Sequence, residues 1–139
     1  MAGARRVGQQ APQRLILDSG AVIALTRGDP RARAFLTRAL ELGAAVEIPV
    51  AVLAETVRGG PRDAPINRLL KAIGTVPVAH ERHGRIAGQL LGAAHSSSTV
   101  DALVVAQAVE AEGAQILTGD REDLERLAAS HPEVWIQLL

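Results

Sequence analysis

Five carboxylates stand where apolar runs end or begin. Asp18 closes Leu15-Ile16-Leu17, Glu55 follows Val52 and Leu53, Asp101 opens the most apolar stretch of the chain, and Asp120 follows Ile116-Leu117-Thr118-Gly119 with Asp123 one turn beyond. Gathered carboxylates repel one another and retain protons unless a cation neutralises them. Oxygen donors without His or Cys suit Mg2+ or Mn2+ better than Zn2+, and such ions keep several waters and meet substrates through phosphate oxygens. The chemistry open to the set is hydrolysis of a phosphate ester by an activated water attacking in line. Asp18, Asp101 and Asp120 are the candidate ligands, direct or through water, and Glu55 is a ligand or a general base. Each acid also has a plain structural role: Asp18 and Asp120 as cap or turn residues, Asp101 at the positive end of its helix, Glu55 as a solvated helix acid. None of those roles requires the acids to converge, whereas metal-assisted hydrolysis does.

Much other chemistry is excluded. The 139 residues contain no Cys, which removes a disulfide framework, thiolate zinc and a cysteine nucleophile. Aromatics are 1% of the chain, Phe35 and Trp135, too few for a module that stacks bases on rings. Fifteen Lys and Arg balance fifteen Asp and Glu, so any contact with a polyanion must be local. Arg58 and Arg121 lie within one helical turn of Glu55 and Asp120 and are the candidate phosphate contacts. His80 and His83 are spaced like ligands, yet no third ligand adjoins them in sequence. Ser96–Ser98 lacks a nucleophile-elbow context, and Gly59-Gly60-Pro61 lacks the Lys-Ser/Thr ending of a phosphate loop.

Elements that could bring the acids together can be read from periodicity. Arg14–Asp18 reads as a buried strand, and Asp18 or Ser19 caps a short helix through Leu25. Asp29 and Pro30 open a helix that Gly43 ends, and Val46–Ile48 is a second strand before the helix carrying Glu55. A helix over Ala64–Ala72 leads to a third strand, Thr75–Val78, whose Pro77 marks a strand end or edge. Helices over His80–Ala93 and Asp101–Glu112 flank a polar loop ending in a capping Ser or Thr. Gln115–Thr118, Asp120–Ala129 and Val134–Ile136 then read as strand, helix and strand. Such β–α alternation predicts a three-layer α/β/α sandwich around a mostly parallel sheet of four to five strands. In open parallel sheets the ligand crevice lies beyond the carboxyl ends of the strands, where Asp18 and Asp120 are expected. Residues 1–13 are expected to be a disordered leader without the apolar core of a signal peptide, and 14–139 one domain. No segment is apolar enough to span a membrane, and the cytoplasm is the expected compartment.

Four segments carry a family resemblance: Leu15–Leu25 (LILDSGAVIAL), Val52–Arg58 (VLAETVR), Val100–Ala106 (VDALVVA) and Ile116–Leu124 (ILTGDREDL). In order and spacing they resemble the four motifs of a PIN domain, and more narrowly the VapC-type toxins of toxin–antitoxin pairs. The resemblance implies a metal-dependent ribonuclease whose acids correspond to Asp18, Glu55, Asp101 and Asp120. It implies products with 5′-phosphate and 3′-hydroxyl ends. Ser19 and Thr118 match the small hydroxyl positions beside those acids, and Asp123 a second acid of the last motif. It also implies a homodimer and a cognate antitoxin, whose Arg could pair with the carboxylates. Apolar helix faces over Leu25–Leu42 and Val50–Leu70, larger than one small sheet needs, agree with a second chain.

Two other classes share acids at strand ends. A phosphoacceptor module needs an early acidic pair and a late Lys, but Asp18 is alone and the only Lys is Lys71, on a helix. A haloacid-dehalogenase-type phosphatase needs a second acid where Gly20 stands. A PIN-like binding scaffold without catalysis is the remaining alternative.

Overall fold

The computed structural model describes residues 13–73 and 75–139; the leader expected over 1–13 lies outside them except for Gln13. Strand β1 (Arg14–Leu17) is followed by α1 (Ser19–Thr26), α2 (Pro30–Glu41), β2 (Ala45–Glu47) and α3 (Val50–Thr56). A 3-10 turn (Pro61–Asp63) and α4 (Ala64–Ile73) precede the long antiparallel neighbours α5 (Glu81–Ala94) and α6 (Thr99–Glu110). The chain closes with β3 (Ala114–Thr118), α7 (Glu122–Leu127) and β4 (Val134–Leu138).

The strands form one parallel sheet in the order β2-β1-β3-β4, the centre of the expected α/β/α sandwich. Leu15, Ile16 and Leu17 are all fully buried, as are Ile116 and Leu117. Consecutive buried positions on one strand mean that both faces of the sheet are covered, so the strands read as unbroken apolar runs rather than alternating ones. Trp135 is half-buried on the edge strand β4. No helix among the described residues is long and apolar enough to cross a membrane.

The expected strand over Thr75–Val78 is not one. From Thr75 to His80 the chain has no regular structure, and its link to the sheet edge is the Ile48 N–H donating to the Thr75 carbonyl at 3.0 Å. Pro77 has no N–H for a ladder and Val78 is 81% exposed, so the segment does not pair, and of its two valines only Val76 packs, in part, against the core. Two helices also begin away from their expected positions. The α6 helix starts at Thr99, which sets Asp101 inside its first turn, and α7 starts at Glu122, two residues after Asp120. Asp120 accepts the Glu122 N–H at 3.2 Å, an Asx-type turn that delays the helix.

Candidate active site

After β1 the chain passes to β2 on one side, while β3 lies on the other. The carboxyl ends of β1 and β3 therefore flank the point where the chain order reverses, the usual crevice of such sheets. Leu17 and Leu117 are in register, and the Asp18 N–H donates to the Leu117 carbonyl at 3.1 Å, which brings Asp18 beside Thr118.

Asp18 does two jobs at once. One carboxylate oxygen caps α1 by accepting the Ala21 N–H at 3.3 Å, and the other accepts the hydroxyl of fully buried Thr118 at 2.5 Å. Thr118 Oγ1 in turn accepts the Asp120 N–H at 3.0 Å, tying the exit of β3 to the exit of β1. The close approach has a steric condition. A Cβ on Gly20 would stand 2.9 Å from the Gly119 nitrogen and 3.2 Å from its Cα, so only glycine fits there without a backbone shift.

Glu55 is exposed near the end of α3, and the Ser19 hydroxyl, from the first residue of α1, donates to its carboxylate. Asp101 is half-buried in the first turn of α6. Ser98 is the N-cap of that helix but makes no capping hydrogen bond; its hydroxyl lies 3.4 Å from an Asp123 carboxylate oxygen instead.

Electrostatics link these acids. Burial, then the charges of Asp123, Asp18, Glu55 and Asp120 in that order, push the Asp101 carboxyl up to about 6. Burial also raises Asp18, against the hydrogen bonds from Thr118, Ala21 and Gly20, with Glu55 adding to the rise. All the acids singled out in the sequence thus act on one carboxyl, and Asp123, read only as a supporting residue, presses on it hardest among the charges. Its weight depends on the α7 turn, which the sequence does not fix.

The donor set is hard oxygen throughout, as Mg2+ or Mn2+ prefers. Among the described residues the one set of three ligand atoms within 4.8 Å of one another is His80, His83 and Glu110, so no three of the rim acids close to that distance. Separated carboxylates whose charges raise the proton affinity of Asp101 suit a cation that keeps part of its water shell and reaches some ligands through it. By that chemistry the rim fits the hard dication expected from the sequence.

The family model of the PIN domain matches residues 15–130. The chain belongs to the PIN-domain family. The PIN fold is also that of solved toxin–antitoxin structures. A chain from a toxin–antitoxin complex of Klebsiella pneumoniae superposes with a TM-score of 0.65 at 19% identity, covering 86% of this chain and 94% of that one. A chain of VapBC2 from Rickettsia felis, solved with a promoter DNA fragment, gives 0.70 at 14% identity over 90% and 98%. FitAcB from Neisseria gonorrhoeae gives 0.62 at 20% identity over 88% and 95%. No curated protein shows significant sequence similarity.

The basic candidates of this PIN domain are engaged locally. Arg58 turns Nη1 back onto the carbonyls of Ala54 and Val57, at 3.1 and 2.7 Å, and Arg121 pairs with Glu125 at 3.4 Å on the surface. Sequence reasoning passed over Asp63, which is buried and accepts the N–H groups of Arg58 and Gly59, at 3.0 and 2.7 Å, holding the turn after Glu55. It also passed over Glu110, which supplies the third partner that His80 and His83 lack in sequence.

Proposed function

We propose that this PIN domain, residues 14–139, is an Mg2+- or Mn2+-dependent endoribonuclease and the toxin of a VapBC-type toxin–antitoxin pair, acting in the cytoplasm. The observation that carries the reading is the loading of one carboxyl, Asp101, by four other acids at the sheet's reversal point. Family membership and the likeness to chains from toxin–antitoxin complexes support it.

Asp18, Asp101, Asp120 and Asp123 would hold the cation. When bound, it supplies positive charge to the phosphate oxygens and acidifies a water. The protein's own part is to keep the oxygens aimed. Thr118 fixes one oxygen of Asp18, Ser98 steadies Asp123, and Ser19 holds Glu55 across from α1. Glu55, exposed at the rim, takes the proton of the attacking water or completes the ligand set. Arg58 and Arg121 meet the RNA backbone after leaving their local partners. An antitoxin Arg set among the carboxylates would replace the cation's charge and silence the site. The apolar side chains of Leu40 and Leu42, half exposed on and after α2, support a homodimer.

Cleavage of cellular RNA with Mg2+ tests this. Asp18→Asn and Asp101→Asn lower the rate by about 100-fold or more, as loss of several kcal/mol of charge stabilisation implies, and the antitoxin suppresses the wild-type rate. Full activity in either purified variant sinks the proposal. Glu55→Gln separates its two roles: a base variant still binds metal, a ligand variant does not.

A further inference from the structure

His83 lies on the core-facing stripe of α5 with Ala87, Leu90 and Ala94, and is 94% buried by its 6% exposure. Neither of its ring nitrogens has an aligned hydrogen-bond partner. Buried imidazole nitrogens normally find one. What His83 faces is the Glu110 carboxylate at the last turn of α6, with Nδ1 3.0 Å from Oε1 but misaligned for a hydrogen bond. The same Oε1 lies 2.9 Å from Nε2 of half-exposed His80, and Oε2 is buried with no hydrogen bond, Arg82 Nε standing 3.8 Å away. The two imidazole rings meet edge to face at 5.1 Å.

We propose that His80, His83 and Glu110 form a second metal site, for a borderline transition-metal dication of the Zn2+ class. Two imidazoles and one carboxylate are a zinc donor set, and a water fills the fourth position. Metal–ligand bonds of about 2.0–2.1 Å in a tetrahedron place ligand atoms roughly 3.3 Å apart, close to the two His–Glu separations here. A cation would satisfy Nδ1, the one of the two orphaned His83 nitrogens that faces Glu110, and offset the charge of Glu110, which sits at the negative end of its helix. The site is separate from the acidic rim: Glu110 is nine residues from Asp101, about 14 Å along α6. Its nitrogen donors select against the Mg2+ that the rim prefers. A metal there clips the start of α5 to the end of α6.

Calorimetric titration of the metal-stripped full chain with ZnCl2, in excess MgCl2 to occupy the rim, tests the assignment. One Zn2+ binds per chain, and Asp101→Asn binds it equally. His80→Ala, at a half-exposed position that the fold does not need, and Glu110→Gln weaken binding by about tenfold or more. With CoCl2 as the probe, visible bands of a four-coordinate nitrogen–oxygen site appear in wild type and vanish in His80→Ala. Absence of Zn2+ binding in Asp101→Asn, or wild-type affinity in both His80→Ala and Glu110→Gln, overturns it.

Discussion

At the scale of single residues, Asp101 joins function to stability. Its carboxyl titrates near 6 in the folded chain, because of burial first and the charges of Asp123, Asp18, Glu55 and Asp120 next, against 3.8 as the ordinary value. The folded state therefore holds this proton more tightly than the unfolded chain. The stability that the proton contributes is complete below about pH 4 and is lost as the pH rises to about 6. At neutral pH an ionised Asp101 strains the metal-free protein. Asp101→Asn removes that strain, so in metal-free buffer at about pH 7.5 the variant melts above wild type, and the gap closes by about pH 4. Added MgCl2 raises the wild-type melting temperature more than the variant's, because the variant lacks the Asp101 charge and binds the cation more weakly. Thermal melts across pH check this, and a gap unchanged by pH would disprove it. An inactive yet more stable variant is the usual signature of acids held together for chemistry.

Between elements, the contact that sets the site is backbone against backbone, where the first turn of α1 passes the exit of β3. Gly→Ala inside a helix ordinarily stabilises by up to about 1 kcal/mol. At Gly20 the sign reverses, since the new Cβ would press on the Gly119 nitrogen at 2.9 Å, beside the Asp18–Thr118 hydrogen bond. Gly20→Ala is expected to cost about 1–3 kcal/mol, in the range of overpacked sites, and to slow RNA cleavage. Gly88→Ala, on an exposed face of α5 with nothing within 4 Å, gains up to about 1 kcal/mol. Urea midpoints of the pair decide it: a stabilised Gly20→Ala refutes the close-approach argument. This contact also marks the limit of what the sequence discloses. Asp18 and Asp120 were legible because each ends an apolar run, and runs that end together share a rim. That α1 must touch the β3 exit depends on the strand order, which no local pattern encodes. Thr75–Val78 misled for the opposite reason, since apolar β-formers read as a strand where no neighbour offers a full ladder. Glu110 stayed hidden because its imidazole partners lie 27 and 30 residues away, across a helix pair.

Over the whole molecule, the sheet and its covering helix are joined by a buried carboxylate. Glu47 on β2 is 5% exposed and accepts the Arg14 guanidinium from β1 on one oxygen and the Gln107 amide of α6, at 2.9 Å, on the other. Arg14 and Glu47 share a sheet face because Arg14 pairs with Ala45, two residues before Glu47 on the parallel neighbour. An apolar residue at Glu47 would serve packing alone, but the charge ties strand register to helix position through partners 33 and 60 residues away. Register matters here, because a slip of β1 by one residue would turn Asp18 away from Thr118. Removing one member of a buried pair typically costs about 3–5 kcal/mol, by stranding the other charge, while replacing both with apolar groups is often near neutral. The Arg14 side chain is 35% exposed, which softens the loss. Arg14→Met is thus expected to destabilise by about 2 kcal/mol. Arg14→Met with Glu47→Leu is expected to cost clearly less than the two single changes together, staying below wild type because the buried Gln107 amide loses its acceptor. If urea unfolding gives the double variant the summed cost of the two single ones, the residues act independently and the register argument fails.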